Sequence, residues 1–242
     1  MKIFKHIINF FSSLRTAVWL LGITLGLFFA GALIMPGKEE FKTIHSAPMF
    51  EWLTQQPLNI TWWLWILIAV LSILTINTIF CSVESIIRKR KVTQWMLLIS
   101  PQIIHAGFLF ILLAHLLTAK GGFQSFVFAG EGSFLNMPGS STVLQVRGID
   151  IYTNPSGYIT GWEVKVEYLT NGVAVYSDII KPNQPSIRKG FNINVKDLAP
   201  LPHKAVLLQV NREPGAFFAL TGGVLFMIGI VILIVLKIRV EG

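Results

Sequence analysis

The sequence has little charge and almost no cysteine. Asp, Glu, Lys and Arg make up 13% of its 242 residues, whereas a soluble domain usually carries about 25%, and this deficit excludes an ordinary soluble protein. The single cysteine, Cys81, excludes an internal disulfide and any CxxC redox motif. We interpret Cys81 as a small residue packed between helices.

Long apolar runs take the place of the missing charge. Hydrophobic residues make up 53% of the chain, and the mean hydropathy is +0.63. Four runs, at about 16–35, 61–83, 97–119 and 215–236, reach the roughly 20 residues that a transmembrane helix needs. The first run is longer than the apolar region of a signal peptide, and no small-x-small cleavage site follows before Pro36, so we expect a retained helix. The sequence therefore predicts a four-span membrane protein.

Basic residues beside the spans predict the orientation. They are Lys2, Lys5 and Arg15 before the first span, Arg88, Lys89, Arg90 and Lys91 between the second and third, and Lys237 and Arg239 after the fourth. Because basic flanks favour the cytoplasmic side, we expect both termini inside and residues 36–60 and 120–214 outside. The formal charge of +8 then predicts anionic lipid as the partner of the basic flanks, and no nucleic-acid partner.

The segment 120–214 is predicted to be β structure. Residues 143–152 and 162–168 alternate apolar and polar positions, which is typical of strands with one buried face. Asn171-Gly172 stands before another apolar run and favours a tight hairpin. With 191–195 and 205–211, the pattern predicts about six strands.

These patterns together predict the fold class and the domain organisation. We expect an α-helical membrane protein with four transmembrane helices and an extracytoplasmic all-β domain, a sandwich or an open barrel, inserted between helices 3 and 4. Residues 1–119 would hold the first three spans, 120–214 the β domain, and 215–242 the fourth span with a cytoplasmic tail.

The third span carries two histidines, His105 and His115. Ionisable groups inside a transmembrane helix are costly and therefore indicate function, and imidazole is a common axial ligand of haem iron. On a helix the two residues lie about 15 Å apart along the axis and about 80° apart in rotation. They cannot ligate one iron together, so each would need a partner from elsewhere. The candidate haem-binding residues are His105, as the metal ligand, with Gly107 and His115.

Other interpretations of these residues stay open. A hydrogen bond to a neighbouring helix would also explain His105, and contact with headgroups or water would explain His115. Gly107 would let a bulky group approach the helix closely. Trp62, Trp63 and Trp65 are typical of an interfacial belt, although they and Phe108 would also suit a porphyrin wall. His45 and His203, both expected outside, could each be a ligand at the outer surface or simply an exposed histidine, and we expect His6 to be structural.

Four stretches of the sequence together resemble a known family. They are Ser13–Trp19 followed by Pro36; Trp62-Trp63 leading to Asn77 and Cys81-Ser82; His105-Ala106-Gly107 leading to Gly121-Gly122-Phe123 and Glu131-Gly132; and Glu213-Pro214-Gly215 before a span with Gly222, Gly223 and Gly229. In this order and topology the chain resembles the ResB/CcsB proteins of System II cytochrome c biogenesis. It departs from them in a shorter outer domain and in the absence of a fused partner half.

The resemblance implies a function. Such proteins work with a CcsA/ResC membrane partner in the bacterial cytoplasmic membrane, where the pair moves haem outwards and attaches it to apocytochrome c on the periplasmic side. The family's intramembrane histidine falls on His105, as axial ligand to haem b that is either in transit or resident. His115 inherits no role. The chain has no complete active site of its own, so it would be part of a haem-attachment complex.

Two alternatives remain beside this expectation. The same fold would suit a haem b-bearing or structural membrane anchor subunit of an electron-transfer complex. It would equally suit a four-helix adaptor whose β domain binds a partner without any cofactor.

Overall fold

The computed structural model describes residues 10–88, 95–138, 140–199 and 204–241. Its residues form two compact units, with boundaries at Gly121/Gly122 and Glu213/Pro214. We call the unit outside these boundaries the helical unit, and the unit between them the β domain.

The helical unit contains five α-helices in the described residues. They are α1 (Leu14–Ile34), α2 (Met49–Gln55), α3 (Leu58–Arg88), α4 (Trp95–Gly121) and α5 (Ala216–Glu241), with short 3-10 helices at Met35–Gly37 and Glu39–Thr43. All but α2 are long and apolar enough to cross a membrane. Each predicted span corresponds to one of these four helices, and α3 extends beyond its predicted run at both ends. The chain thus has the helices of a multi-pass membrane protein.

Polar side chains within the apolar helices are mostly satisfied by their own backbone. Six hydroxyl groups donate to the carbonyl four residues earlier, at 2.8–2.9 Å: Thr24, Ser72, Thr75, Thr78, Ser82 and Thr221. This bond removes the cost of an unpaired hydroxyl in an apolar environment. The helices therefore tolerate these residues without a polar partner on another helix.

Asn77 joins α3 to the start of α1. Its side chain is 1% exposed, and its Nδ2 donates to the carbonyl oxygen of Phe11 at 2.7 Å and to that of Ser13 at 3.4 Å. The Cys81 thiol lies one turn further along α3 and is 3.8 Å from the same Phe11 oxygen. Cys81 thus packs beside the chain entering α1.

At the other end of this helix pair, the segment between α1 and α3 folds back as a small apolar cluster. Phe41, Trp52 and Trp63 are buried there, and the indole Nε1 of Trp52 donates to Thr43 Oγ1 at 3.1 Å. The Trp63 ring lies against Gly31 of α1, where a Cβ would be only 2.5 Å from two ring atoms. The glycine therefore lets the indole pack on the α1 backbone.

Helices α4 and α5 pack through small residues in an antiparallel register. Gly215, just before α5, and Gly222 and Gly229 on α5 recur every seven residues. They lie opposite Ala114, Gly107 and Ser100 on α4, which have the same spacing. Small residues at such positions let two membrane helices approach backbone to backbone. Helices α4 and α5 are therefore closely packed along their length.

The β domain consists of eight strands in the described residues, where the sequence predicted about six. They are β1 (Phe123–Gly130), β2 (Phe134–Asn136), β3 (Thr142–Thr153), β4 (Ile159–Thr170), β5 (Val173–Ile180), β6 (Ser186–Arg188), β7 (Phe191–Ala199) and β8 (Ala205–Arg212). The predicted number was too low because β2 and β6 have only three residues each, and β1 lacks a regular alternation.

These strands form two four-stranded antiparallel sheets, in the orders β1-β8-β7-β6 and β2-β3-β4-β5. Residues from both sheets form a single apolar core. Four of its residues, Leu144 and Val166 from one sheet and Ile193 and Leu208 from the other, are each at most 1% exposed. The described strands do not close into a barrel.

The predicted hairpin at Asn171-Gly172 is present. Thr170 pairs with Val173 across the turn, and the two turn residues have φ values of 52° and 78°, which asparagine and glycine tolerate best.

The predicted alternation of buried and exposed residues is also present in β4. Val164 and Val166 are buried in the core. The charged residues that alternate with them form ion pairs on the opposite face: Glu163–Lys181, Lys165–Asp150 and Glu167–Arg147, at 2.7–2.9 Å.

Candidate functional site: an intramembrane histidine

His105 lies on α4 and contacts α3 through one ring nitrogen. Its Nδ1 is 2.8 Å from the Oγ of Ser82, and the side chain is only partly buried. In the part of the chain that the structure describes, Ser82 is the only hydrogen-bond partner of the ring. The contact to a neighbouring helix that sequence reasoning left open is therefore present, and it uses only one of the two ring nitrogens.

Ser82 is itself held by the backbone of α3. Its Oγ donates to the carbonyl oxygen of Thr78 at 2.8 Å. Thr78 is buried, and its hydroxyl donates in turn to the carbonyl of Leu74. The partner of His105 is thus anchored in the interior of the helical unit. Sequence reasoning quoted Ser82 only as part of a motif, because its contact with His105 depends on how α3 and α4 are rotated.

A second polar side chain lies one turn before His105. The Oε1 of Gln102 is buried and has no hydrogen-bond partner among the described residues. Leaving a buried carbonyl oxygen unpaired is costly. Sequence reasoning missed Gln102, although a glutamine within an apolar span, three residues before a histidine, was a visible signal.

The close approach at Gly107 is made by α5. A Cβ at this position would lie 2.5 Å from the backbone nitrogen of Phe226 and 2.7 Å from the carbonyl oxygen of Gly222. In the structure this glycine permits close helix packing. Its effect on the site is to hold the α4 backbone two residues from His105 firmly against α5.

The aromatic residues considered as a porphyrin wall divide into two groups. Phe108 packs against Leu20 and Leu74 between α1 and α3, and Trp63 is buried against Gly31. Both rings are therefore engaged within the helical unit. Trp62 and Trp65 remain about 40% exposed, as residues of an interfacial belt or a partner contact would be.

Of the other histidines, the structure describes His45 and His115, and neither contacts His105 in the described residues. Because α4 is continuous over Trp95–Gly121, His115 stays ten residues away on the same helix, about 15 Å along the axis. It is exposed, as is His45. His6 and His203 lie outside the described residues.

The donor set restricts the kind of metal that would suit this site. No group of three or more His, Cys, Asp or Glu residues that could hold a metal ion occurs in residues 10–88, 95–138, 140–199 and 204–241. A bare ion needs several protein ligands, whereas haem iron takes only its axial ligands from protein. A single imidazole therefore fits haem better than a mononuclear metal ion.

Neither a family model nor a curated protein sequence matches this chain. Among solved structures, the chain is similar to one titled "Cytochrome c Heme Lyase CcmF", with a TM-score of 0.45 and 12% sequence identity. The superposition covers 91% of this chain and 34% of that one, so the chain spans about a third of that protein's length. At this TM-score and identity, the similarity assigns neither a family nor a function.

Proposed function

We propose that this chain is a membrane subunit that holds haem for cytochrome c maturation, with His105 as an axial ligand of the iron. The observation that supports the proposal is the environment and hydrogen bonding of the His105 ring. It lies in an apolar span, is partly exposed, and bonds Ser82 through Nδ1 alone. Its Nε2 has no hydrogen-bond partner in the described residues and is the nitrogen that would reach the iron.

The other residues near His105 would hold this ligand in place. Ser82 fixes the ring from the α3 side, and the close packing of Gly107 on Gly222 fixes the α4 backbone from the α5 side. The apolar span keeps water away from the iron, which strengthens ligation by a neutral imidazole. Haem, when bound, supplies the iron and the vinyl groups to which the cysteines of an apocytochrome are joined.

The maturation role rests on the resemblance to the ResB/CcsB proteins rather than on the geometry. In that role the chain would pair with a CcsA/ResC-like membrane partner, which would supply a second axial ligand to haem b. Apocytochrome c would be the recipient, and the β domain would lie on the periplasmic side. The chain then acts as one part of a haem-attachment complex, since no complete active site is present in its described residues.

A second candidate is a haem b-bearing anchor subunit of an electron-transfer complex. The tight α4–α5 pair beside His105 favours it, because a resident cofactor benefits from a ligand held on a rigid frame. The two candidates share His105 as the ligand and differ in the fate of the haem.

Gene deletion with complementation separates the candidates. We expect deletion to abolish c-type cytochromes on haem-stained gels, and we expect the wild-type gene and His115→Ala to restore them while His105→Ala does not. If c-type cytochromes persist in the deletion strain, the maturation role is overturned. Haem that co-purifies with the chain in that case would identify the anchor subunit, and a complex without haem would identify a structural adaptor.

A further inference from the structure

We infer that Ser82 is a positioning residue that places the ring proton of His105 on Nδ1 and leaves the lone pair on Nε2. The inference deepens the proposed function, because Nε2 is the nitrogen that would bind iron. The tautomer itself follows from hydrogen bonds within this chain and is tested without haem.

The first step concerns the single proton of the Ser82 hydroxyl. Its Oγ lies 2.8 Å from the Thr78 carbonyl oxygen, and a carbonyl can only accept. Ser72 and Thr75 on the same helix make the same bond to the carbonyl four residues earlier. The hydroxyl proton of Ser82 is therefore used within α3.

The second step concerns the ring. With its proton given to Thr78, the Ser82 oxygen can only accept from Nδ1 of His105, which lies 2.8 Å away. A neutral imidazole carries one N–H and one lone pair. If Nδ1 holds the proton, Nε2 holds the lone pair and is the metal-binding atom. Histidines that bind metals almost always donate their other N–H to a fixed acceptor in this way.

The third step concerns the strength of that acceptor. The chain of donors runs from His105 to Ser82 and from Ser82 to the Thr78 carbonyl. Every acceptor in it is neutral. A carboxylate in place of Ser82 would raise the basicity of the imidazole and so favour ferric iron. Ser82 thus orients the ring while leaving it a neutral ligand.

The tautomer is measured by 15N NMR on the full chain in lipid nanodiscs, without haem. The His105 signal is assigned by its loss in His105→Ala. We expect the Nδ1–H tautomer in wild type, in Ser82→Thr and in the control Ser72→Ala, whose serine makes the same backbone bond without a histidine partner. We expect Ser82→Ala to populate the Nε2–H tautomer. An Nε2–H signal in wild type, or a tautomer balance unchanged by Ser82→Ala, overturns the inference.

Haem titration gives the second readout. We expect Ser82→Ala to weaken haem binding by about 10- to 100-fold, Ser72→Ala to leave it unchanged, and Ser82→Asp to lower the midpoint potential of the bound iron. A midpoint potential that Ser82→Asp raises would overturn the inference. If wild type shows the Nδ1–H tautomer but binds no haem, the proposed function fails while the positioning of the ring by Ser82 stands.

Discussion

Gly222 of α5 lies against Gly107 of α4 so closely that a Cβ on either residue would meet the backbone of the other helix at 2.5–2.9 Å. A Cβ on its neighbour Gly223 would have no atom within 4 Å in the described residues. Of these two adjacent glycines, only Gly222 therefore has another described helix against it. That difference makes them a matched pair for testing the α4–α5 interface.

We expect Gly222→Ala to destabilise the helical unit by about 1–3 kcal/mol, the usual cost of an added methyl group in a packed interior. Gly223→Ala should be neutral or slightly stabilising, since alanine is the better helix former. The measurement is reversible unfolding in mixed micelles followed by circular dichroism. Equal effects of the two substitutions would contradict the packing of α5 on α4.

Asn77→Leu tests the attachment of α1 to α3. The substitution removes the donor to the Phe11 carbonyl at 2.7 Å and leaves that acceptor with the weaker contact to the Cys81 thiol at 3.8 Å, which costs about 1–3 kcal/mol. We expect faster amide exchange in the first turn of α1, measured by mass spectrometry. Thr75→Ala, two residues away and bonded only to its own helix, is the control. Unchanged exchange in Asn77→Leu would show that this bond does not hold α1.

Ser186→Ala tests a buried polar network in the β domain. The Ser186 hydroxyl lies 2.7 Å from the Tyr168 OH and donates to Asp178 Oδ2 at 2.6 Å, and the side chain is 1% exposed. Both partners lose a hydrogen bond in the alanine variant, so we expect a loss of about 1–3 kcal/mol in the free energy of unfolding of this domain. Ser177→Ala, at an exposed position of β5, should leave the free energy of unfolding unchanged in the same urea titration. A stable Ser186→Ala variant would contradict the network.

The burial of Tyr168 predicts a loss of stability at alkaline pH. Burial is the main reason that the pKa of Tyr168 is raised above its usual value, which is about 10. The unfolded chain therefore releases the phenol proton at lower pH than the folded chain. The contribution to stability is fully present below about pH 10 and is lost as the pH rises through the folded pKa. Tyr168→Phe should lose less stability between pH 9 and 12 than wild type does. Tyr158→Phe, at a position 73% exposed, should follow wild type, and parallel curves for all three proteins would contradict this prediction.

Several elements could be predicted from the sequence because each depends on residues that are close together along the chain. The four long helices follow from hydropathy, and the β4–β5 turn follows from the tolerance of Asn171-Gly172 for positive φ. The burial of Val164 and Val166 follows from period-2 alternation. The short strands β2 and β6 could not be predicted, since three residues show no period.

The candidate site depended on information that a single stretch of sequence does not carry. His105 was singled out because an imidazole in an apolar span is costly. Its contact with Ser82 requires the rotation of α4 against α3, which hydropathy leaves undetermined. Gly107 shows the same limit. The sequence shows the glycine itself. That small residues recur every seven positions on both α4 and α5 explains its role only once the two helices are known to pack together.

The central claim, that His105 supplies an iron ligand, is tested most directly by chemical rescue. The full chain is purified in nanodiscs as wild type, His105→Gly and the control His115→Gly. Haem is then titrated into each protein while the absorption spectrum is recorded. Wild type and His115→Gly should bind haem with an imidazole-ligated spectrum. His105→Gly should bind at least about tenfold more weakly and recover that spectrum when free imidazole is added. A His105→Gly variant that binds haem with the wild-type affinity and spectrum, without added imidazole, would contradict the claim.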